Sequence, residues 1–303
     1  MTTAVRWEGV YPALLTPFTA DDQLDLPLFE KNLRAQLDAG VHGLIIAGSL
    51  GEVSTLEGAE KLALLETARE TAAGRVPVIM NIAEASTREA VRCAREAETH
   101  GADGLMLLPP MRYFADARET IAYFRAVAEA TPLPIMIYNN PVDYKIMTTV
   151  AMFEELAVLP NIQAVKESTR DLTNITRMRN AFGDRYKLLC GVDTLALEAL
   201  LTGADGWVAG LVDAFPDETV ALYELALAGQ IEAARSLYRW FMPLLELDIQ
   251  PKLVQYIKLA ASATGIGSEM VRAPRLPVTG EERERVMQII RTALANRPAL
   301  QLS

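Results

Sequence analysis

Lys166 ends the apolar run Gln163-Ala164-Val165-Lys166 and is followed at once by the polar residues Glu167-Ser168. A lysine at the end of a buried strand loses part of its hydration, which lowers its pKa and makes its amine a usable nucleophile. The plainer reading of the same residue is a solvated strand-end cap. Two other apolar runs deliver reactive groups in the same way. Pro134–Tyr138 ends in a tyrosine and breaks into Asn139-Asn140-Pro141, and Gly43–Ala47 breaks into Gly48-Ser49-Leu50-Gly51-Glu52. A phenol beside a lysine can relay protons as a carbinolamine forms and collapses to an imine; otherwise Tyr138 is a rim aromatic with its hydroxyl in water. A tight turn rich in free N–H groups ahead of a helix binds anions, and Ser49 adds a hydroxyl donor, although such a turn also occurs as structure alone. Gly191 and Asp193 follow the run Lys187–Cys190. Asp193 either accepts hydrogen bonds from substrate hydroxyls or caps the helix beginning near Leu195. Cys190 has no base near it in sequence and is expected in the core, while His42 and His100 read as structural or solvated.

These groups need a frame that brings strand ends together. Strands are expected at Val10–Leu15, Gly43–Ala47, Val76–Ile82, Gly104–Leu108, Pro134–Tyr138, Ile162–Lys166, Lys187–Cys190 and Gly206–Ala209. Between them lie helical patterns such as Leu62, Leu65 and Ala68, or Ile121, Phe124 and Val127. Ser54 with Glu57, Ser86 with Glu89 and Asp116 with Glu119 carry the capping-box spacing. Gly40, Gly74, Gly101, Gly183 and Gly203 stand where helices stop before the next strand. Strand and helix alternating in this way imply a parallel sheet closing into a (β/α)₈ TIM barrel, with chemistry at the C-terminal strand ends. A doubly wound open sheet would show a glycine-rich loop after its first strand, where this chain has Leu15-Thr16-Pro17-Phe18. The barrel is expected over residues 1–228 and a C-terminal helical extension over 229–303, with Pro243 and Pro251 breaking or kinking it. Leu237, Trp240, Phe241, Leu244 and Leu245 give the extension an apolar face for the barrel's helices or for another subunit.

With 303 residues, half of them hydrophobic and 22% charged, the chain reads as an ordinary soluble globular protein. A net charge of −10 argues against nucleic acid or an anionic membrane as partner. Two cysteines are too few for a disulfide framework, two histidines too few for a histidine-rich metal site, and no signal peptide or membrane-length apolar run is visible. A cytoplasmic protein is expected.

Taken together, Gly-Ser-Leu-Gly-Glu at 48–52, Tyr-Asn-Asn-Pro at 138–141, Lys-Glu-Ser at 166–168 and Gly-Val-Asp at 191–193 resemble the dihydrodipicolinate synthase / N-acetylneuraminate lyase family. The resemblance runs from Gly9 to about Pro277 and implies a barrel with a C-terminal helical extension, usually a homotetramer, with class I aldolase chemistry that needs no metal or organic cofactor. It makes Lys166 the Schiff-base lysine, Tyr138 the proton relay, and Ser49 with the Leu50 N–H the holders of a 2-oxo acid carboxylate; Ser168, Gly191, Asp193 and Asp143 would line the substrate. The departures bear on substrate. Asp143 stands where the synthase branch carries a carboxylate-binding arginine, Leu50 where it has a second hydroxyl, and Pro110-Met111-Arg112-Tyr113 where it has paired tyrosines. Thr194 replaces the acidic residue of sialate lyases. The stretches around Leu237–Leu245 and Gln250–Gln255 are similar to a 1-pyrroline-4-hydroxy-2-carboxylate deaminase branch. The expected activity is therefore dehydration and deamination of that cyclic imine, with dihydrodipicolinate synthase or a 2-keto-3-deoxy sugar-acid aldolase or dehydratase as alternatives. A metal-dependent barrel or a catalytically dead binding protein are readings from other classes, and the strand-end lysine and tyrosine argue against both.

Overall fold

The computed structural model describes residues 3–300. Eight parallel strands form one sheet: β1 (Gly9–Pro12), β2 (Leu44–Ile46), β3 (Val78–Ile82), β4 (Gly104–Leu107), β5 (Ile135–Asn139), β6 (Ile162–Glu167), β7 (Lys187–Cys190) and β8 (Gly206–Ala209). Each pairs with its neighbour in chain order, β1 pairs with β8, and a bridge from Ala13 to Ile45 closes the circle. Nearly every strand residue is buried, as expected where the inner face packs a barrel core and the outer face is covered by helices. The outer ring is α1 (Leu26–Asp38), α2 (Gly58–Ala72), α3 (Thr87–Thr99), α4 (Ala117–Ala128), the short α5 (Pro141–Tyr144) with α6 (Val150–Leu156), α7 (Thr173–Phe182), α8 (Ala196–Leu201) and α9 (Pro216–Leu227). Three more helices follow, α10 (Ile231–Leu245), α11 (Leu253–Ala263) and α12 (Gly280–Ala295).

The strand ends differ from expectation for local reasons. Beyond Pro12 the β1 chain still bonds both neighbours, Ala13 N–H to the Ala209 carbonyl and Leu14 N–H to the Ile45 carbonyl, each at 2.9 Å, and the pairing ends at Leu15, whose N–H is taken by the Asp213 carboxylate at 3.1 Å. β2 stops at Ile46 because Ala47 turns left-handed, φ 52°. All five glycines assigned to helix ends have positive φ. Asp116 and Glu119 form a complete capping box, 2.8 and 2.9 Å. Ser86 caps α3 at 3.2 Å, but Glu89 turns to Arg92 rather than back to the cap. Ser54 caps nothing: it lies in a 3₁₀ turn, and the box at the start of α2 is made by Glu57 and Glu60. Pro243 sits inside α10 without ending it.

The C-terminal helices are anchored by aromatic packing, with Phe215 edge-on to Phe241 at 5.9 Å, and by a buried ion pair. Lys258 of α11 reaches Glu52 in the turn after β2 at 2.5 Å, both side chains being excluded from solvent. Arg275 and the Arg272 N–H also meet the Glu52 carboxylate, at 3.5 and 3.1 Å. The loop between α10 and α11 is thereby laid across the C-terminal mouth of the barrel.

Candidate active site

The register of the sheet sets the site. Tyr138 on β5 pairs directly with Lys166 on β6, and the Lys166 Nζ stands 4.0 Å from the centroid of the Tyr138 ring. Both side chains are buried, each 7% exposed. Burial lowers the Lys166 pKa, because the charged amine loses hydration. The charges of Asp248, Tyr144 and Asp193 oppose that shift. Burial also pushes the Tyr138 phenol up, so it holds its proton at neutral pH. On the far side of Lys166 lies β7 and then Gly191, where a Cβ would meet the Lys166 Cε at 2.7 Å and the Ser168 Oγ at 2.1 Å. Only glycine leaves room there for the lysine stem, and Ser168 donates to the Gly191 carbonyl at 3.0 Å.

A cavity of about 670 Å³, counting its open mouth, is lined by Ser49, Leu50, Tyr138, Asp143, Lys166, Ser168 and Gly191. In the turn after β2 the Ser49 and Leu50 N–H groups have no acceptor among the described residues, leaving them free for an anion. The Ser49 hydroxyl bonds the Tyr144 hydroxyl, and Tyr144 packs edge-on against Tyr138 with centroids 5.6 Å apart. Asp143 lies at the cavity wall with its Oδ2 accepting from the Asn140 amide at 2.7 Å. Asn140 also donates to the Tyr138 hydroxyl at 3.1 Å.

Asp193 is the sequence-assigned residue that the cavity wall lacks. Its carboxylate accepts from the Trp207 indole at 2.9 Å and from the Gly210 and Leu211 N–H groups at 3.1 and 2.8 Å. It therefore braces the loop after β8, and it makes no side-chain cap to the turn it opens. Cys190 is buried and His42 is structural, accepting from the Val10 N–H at 3.2 Å. The sequence reading missed Asp248, Ile249 and Leu253 of the C-terminal segment, and Arg170 of the turn after β6, all of which line the cavity. No strand-end signal marks the first three, because they belong to helices outside the barrel.

Glu84, Glu89 and Cys93 bring ligand atoms within 4.8 Å of one another outside this cavity. Lys61 lies 2.9 Å from Glu84, and Arg92 pairs with Glu89, so local cations already balance the two carboxylates.

A closed (β/α)₈ barrel carrying a buried lysine amine against a tyrosine at its C-terminal strand ends defines a class I aldolase or lyase barrel. The chain belongs to the dihydrodipicolinate synthetase family, whose model matches residues 6–293. It is 37% identical over 275 residues to a 4-hydroxy-tetrahydrodipicolinate synthase of Exiguobacterium sibiricum, covering 90% of this chain and 92% of that one. Among solved structures, a putative dihydrodipicolinate synthetase from Pseudomonas aeruginosa superposes with TM-score 0.89 at 31% identity, over 94% of this chain and 99% of that one. The chloride-inhibited synthase of Acinetobacter baumannii, complexed with pyruvate, matches with TM-score 0.91 at 25% identity over 95% and 99%. A synthase variant described as monomeric shares the fold too, TM-score 0.88 at 26% identity over 95% and 96%, so the fold alone does not dictate assembly.

Proposed function

We propose that the chain is an imine-forming lyase that takes a 2-oxo acid onto Lys166, with Tyr138 moving the protons. The observation that carries this reading is the buried Lys166 amine set over the Tyr138 ring in the cavity wall, 4.0 Å from its centroid. The substrate carboxylate lies on the Leu50 N–H and the Ser49 hydroxyl. The amine attacks C2, Tyr138 gives a proton to the departing oxygen, and water leaves. The protonated imine withdraws electrons from C3, whose proton is lost to give an enamine. Ser168, Gly191 and Asp143 border the second reactant.

Addition of the enamine to aspartate semialdehyde, the 4-hydroxy-tetrahydrodipicolinate synthase reaction, is the exit that the relatives' names support best. They lend none to the deaminase reading taken from the C-terminal stretches. That second reading, expulsion of a C4 hydroxyl from 1-pyrroline-4-hydroxy-2-carboxylate and release of ammonia, keeps one observation in its favour. Asp143 and Asp248 both line the cavity, and carboxylates accept from a hydroxyl while repelling a second carboxylate.

Borohydride reduction in the presence of each candidate should add the ligand mass at Lys166. Side-by-side kcat/KM for pyruvate with aspartate semialdehyde, the hydroxylated cyclic imine and 2-keto-3-deoxy sugar acids then selects the exit. An adduct on another lysine ends the imine reading, and the highest value for the cyclic imine selects the second exit. The proposed assembly is a homotetramer working in the cytoplasm without metal. It is supported by Tyr113 and Phe114, 58% and 71% exposed in the loop after β4. No helix among the described residues is long and apolar enough to cross a membrane. Light scattering, and activity retained after chelation, are the checks.

A further inference from the structure

Arg170 lies in the turn between β6 and α7 and lines the same cavity as Lys166. Its backbone is left-handed, φ 63°, a conformation that glycine adopts freely and that a residue with a Cβ adopts at a cost. Its side chain makes no hydrogen bond or ion pair among the described residues, whereas the adjacent Asp171 is satisfied by Thr173 at 3.0 Å and Arg177 at 2.7 Å. The other charged groups in the cavity wall are Lys166, Asp143 and Asp248, so the guanidinium is the one cation of that wall that the imine chemistry leaves free to meet a second anionic group. Arg170 is exposed, so its left-handed backbone sets a solvated guanidinium at the cavity mouth, free to meet an anionic ligand there.

We propose that Arg170 grips an anionic group at the far end of the imine-forming substrate, so that the site takes 2-oxo acids carrying a second carboxylate. A guanidinium offers a carboxylate two parallel N–H donors, and this pairing is geometrically specific as well as attractive. It offsets the repulsion expected from Asp143, whose carboxylate is already engaged by Asn140. The inference rests on the imine reading of Lys166 and assigns the substrate class of that site.

The test compares two 2-oxo acids of equal chain length, 2-oxoglutarate with a distal carboxylate and 2-oxopentanoate with a methyl end. Each is titrated against the whole protein, and the Lys166 adduct is quantified by mass after borohydride reduction. The wild type is expected to half-saturate at roughly tenfold lower 2-oxoglutarate than 2-oxopentanoate, the worth of one charged hydrogen-bonded contact at a solvated rim. Arg170→Gly, which suits the left-handed backbone, should abolish that preference and leave the 2-oxopentanoate value within about twofold. Arg170→Lys should keep part of it. Melting of the glycine variant should stay close to wild type, because relief of strain and the greater freedom of the unfolded chain oppose each other. A preference unchanged in Arg170→Gly, or a wild type that favours 2-oxopentanoate, overturns the assignment. Absence of any adduct with either acid instead brings down the Lys166 reading, and Arg170 with it.

Discussion

Asp143 and Tyr138 share one amide group: Asn140 donates through its Nδ2 to the Asp143 carboxylate at 2.7 Å and to the Tyr138 hydroxyl at 3.1 Å. Its Oδ1 accepts from the Asp143 N–H at 3.2 Å, which fixes the amide's orientation. Because Asn140 donates to the phenol oxygen, the phenolic proton remains free to be given to a reacting group. Asp143 is thus linked to the Tyr138 hydroxyl through Asn140, in addition to its place at the cavity wall.

Tyr138→Phe removes only the hydroxyl, so the barrel should fold while turnover falls by roughly 10²–10⁴, the usual worth of a positioned acid–base group. Asp143→Asn keeps an acceptor for Asn140, and its rate of imine trapping with pyruvate should stay close to wild type. Asp143→Ala removes that acceptor and should slow trapping by about fivefold, the value of roughly one hydrogen bond. Rapid-quench trapping with borohydride measures all three. Equal rates in wild type and Tyr138→Phe would leave Tyr138 as packing.

Lys258 and Glu52 bind the C-terminal helices to the turn that carries Ser49 and Leu50. Neither side chain reaches water, so removing one partner strands the other charge, at a cost of about 3–5 kcal/mol for a buried pair. Lys258→Met should lower the denaturant midpoint accordingly, with Arg275 sparing part of the loss, and should weaken 2-oxo acid binding through the loosened turn. Chemical denaturation read beside adduct titration separates the two effects.

Asp213 gives a pH-dependent expectation. Burial raises its carboxyl well above the usual range. One oxygen accepts from the Leu15 N–H, and the other has no partner among the described residues. A carboxyl with a raised folded pKa contributes stability that is complete below its unfolded pKa, about 3.9, and is lost as pH rises through the folded value. Asp213→Asn keeps the acceptor and stays neutral. The difference in melting temperature between variant and wild type should therefore move in the variant's favour as pH rises from 5 to 9. A difference that does not change with pH would mean that Asp213 is ionised in the folded protein over that whole range, as it is in the unfolded chain, and that burial does not hold its proton.

The barrel was legible in the sequence because each strand is a short apolar run and each helix carries a cap or stop, both local signals. Lys166, Tyr138 and Ser49 were legible for the same reason, since a reactive group at the end of an apolar run needs no tertiary information to be noticed. The bonds that Asp193 makes were not legible because its partners, Trp207, Gly210 and Leu211, come from the next strand and loop. Asp248 was missed because its position depends on how α10 and α11 fold back over the barrel mouth. Arg170 was missed because its place at the cavity depends on the left-handed turn after β6, which no local pattern in the sequence announces.

Asp248 tests whether the C-terminal segment tunes the reactive amine. In the proposed chemistry Lys166 attacks only as the neutral amine; burial lowers its pKa, while the charge of Asp248 is foremost among those that raise it. Burial and the charge of Asp193 in turn push the Asp248 carboxyl up, and Lys166 pulls it down. Asp248→Asn removes the negative charge and conserves volume. The charged form of Lys166 then loses support, its pKa falls further, and the rate of imine trapping should reach its plateau at lower pH. Asp193→Asn removes a charge that acts in the same direction, but it also weakens three hydrogen bonds to Trp207, Gly210 and Leu211, so it should cost stability as well. A trapping profile that shifts in Asp248→Asn with little change in melting temperature identifies Asp248 as the counter-charge of the amine. A profile that does not move means Asp248 carries a proton throughout that range, and only its packing serves the site.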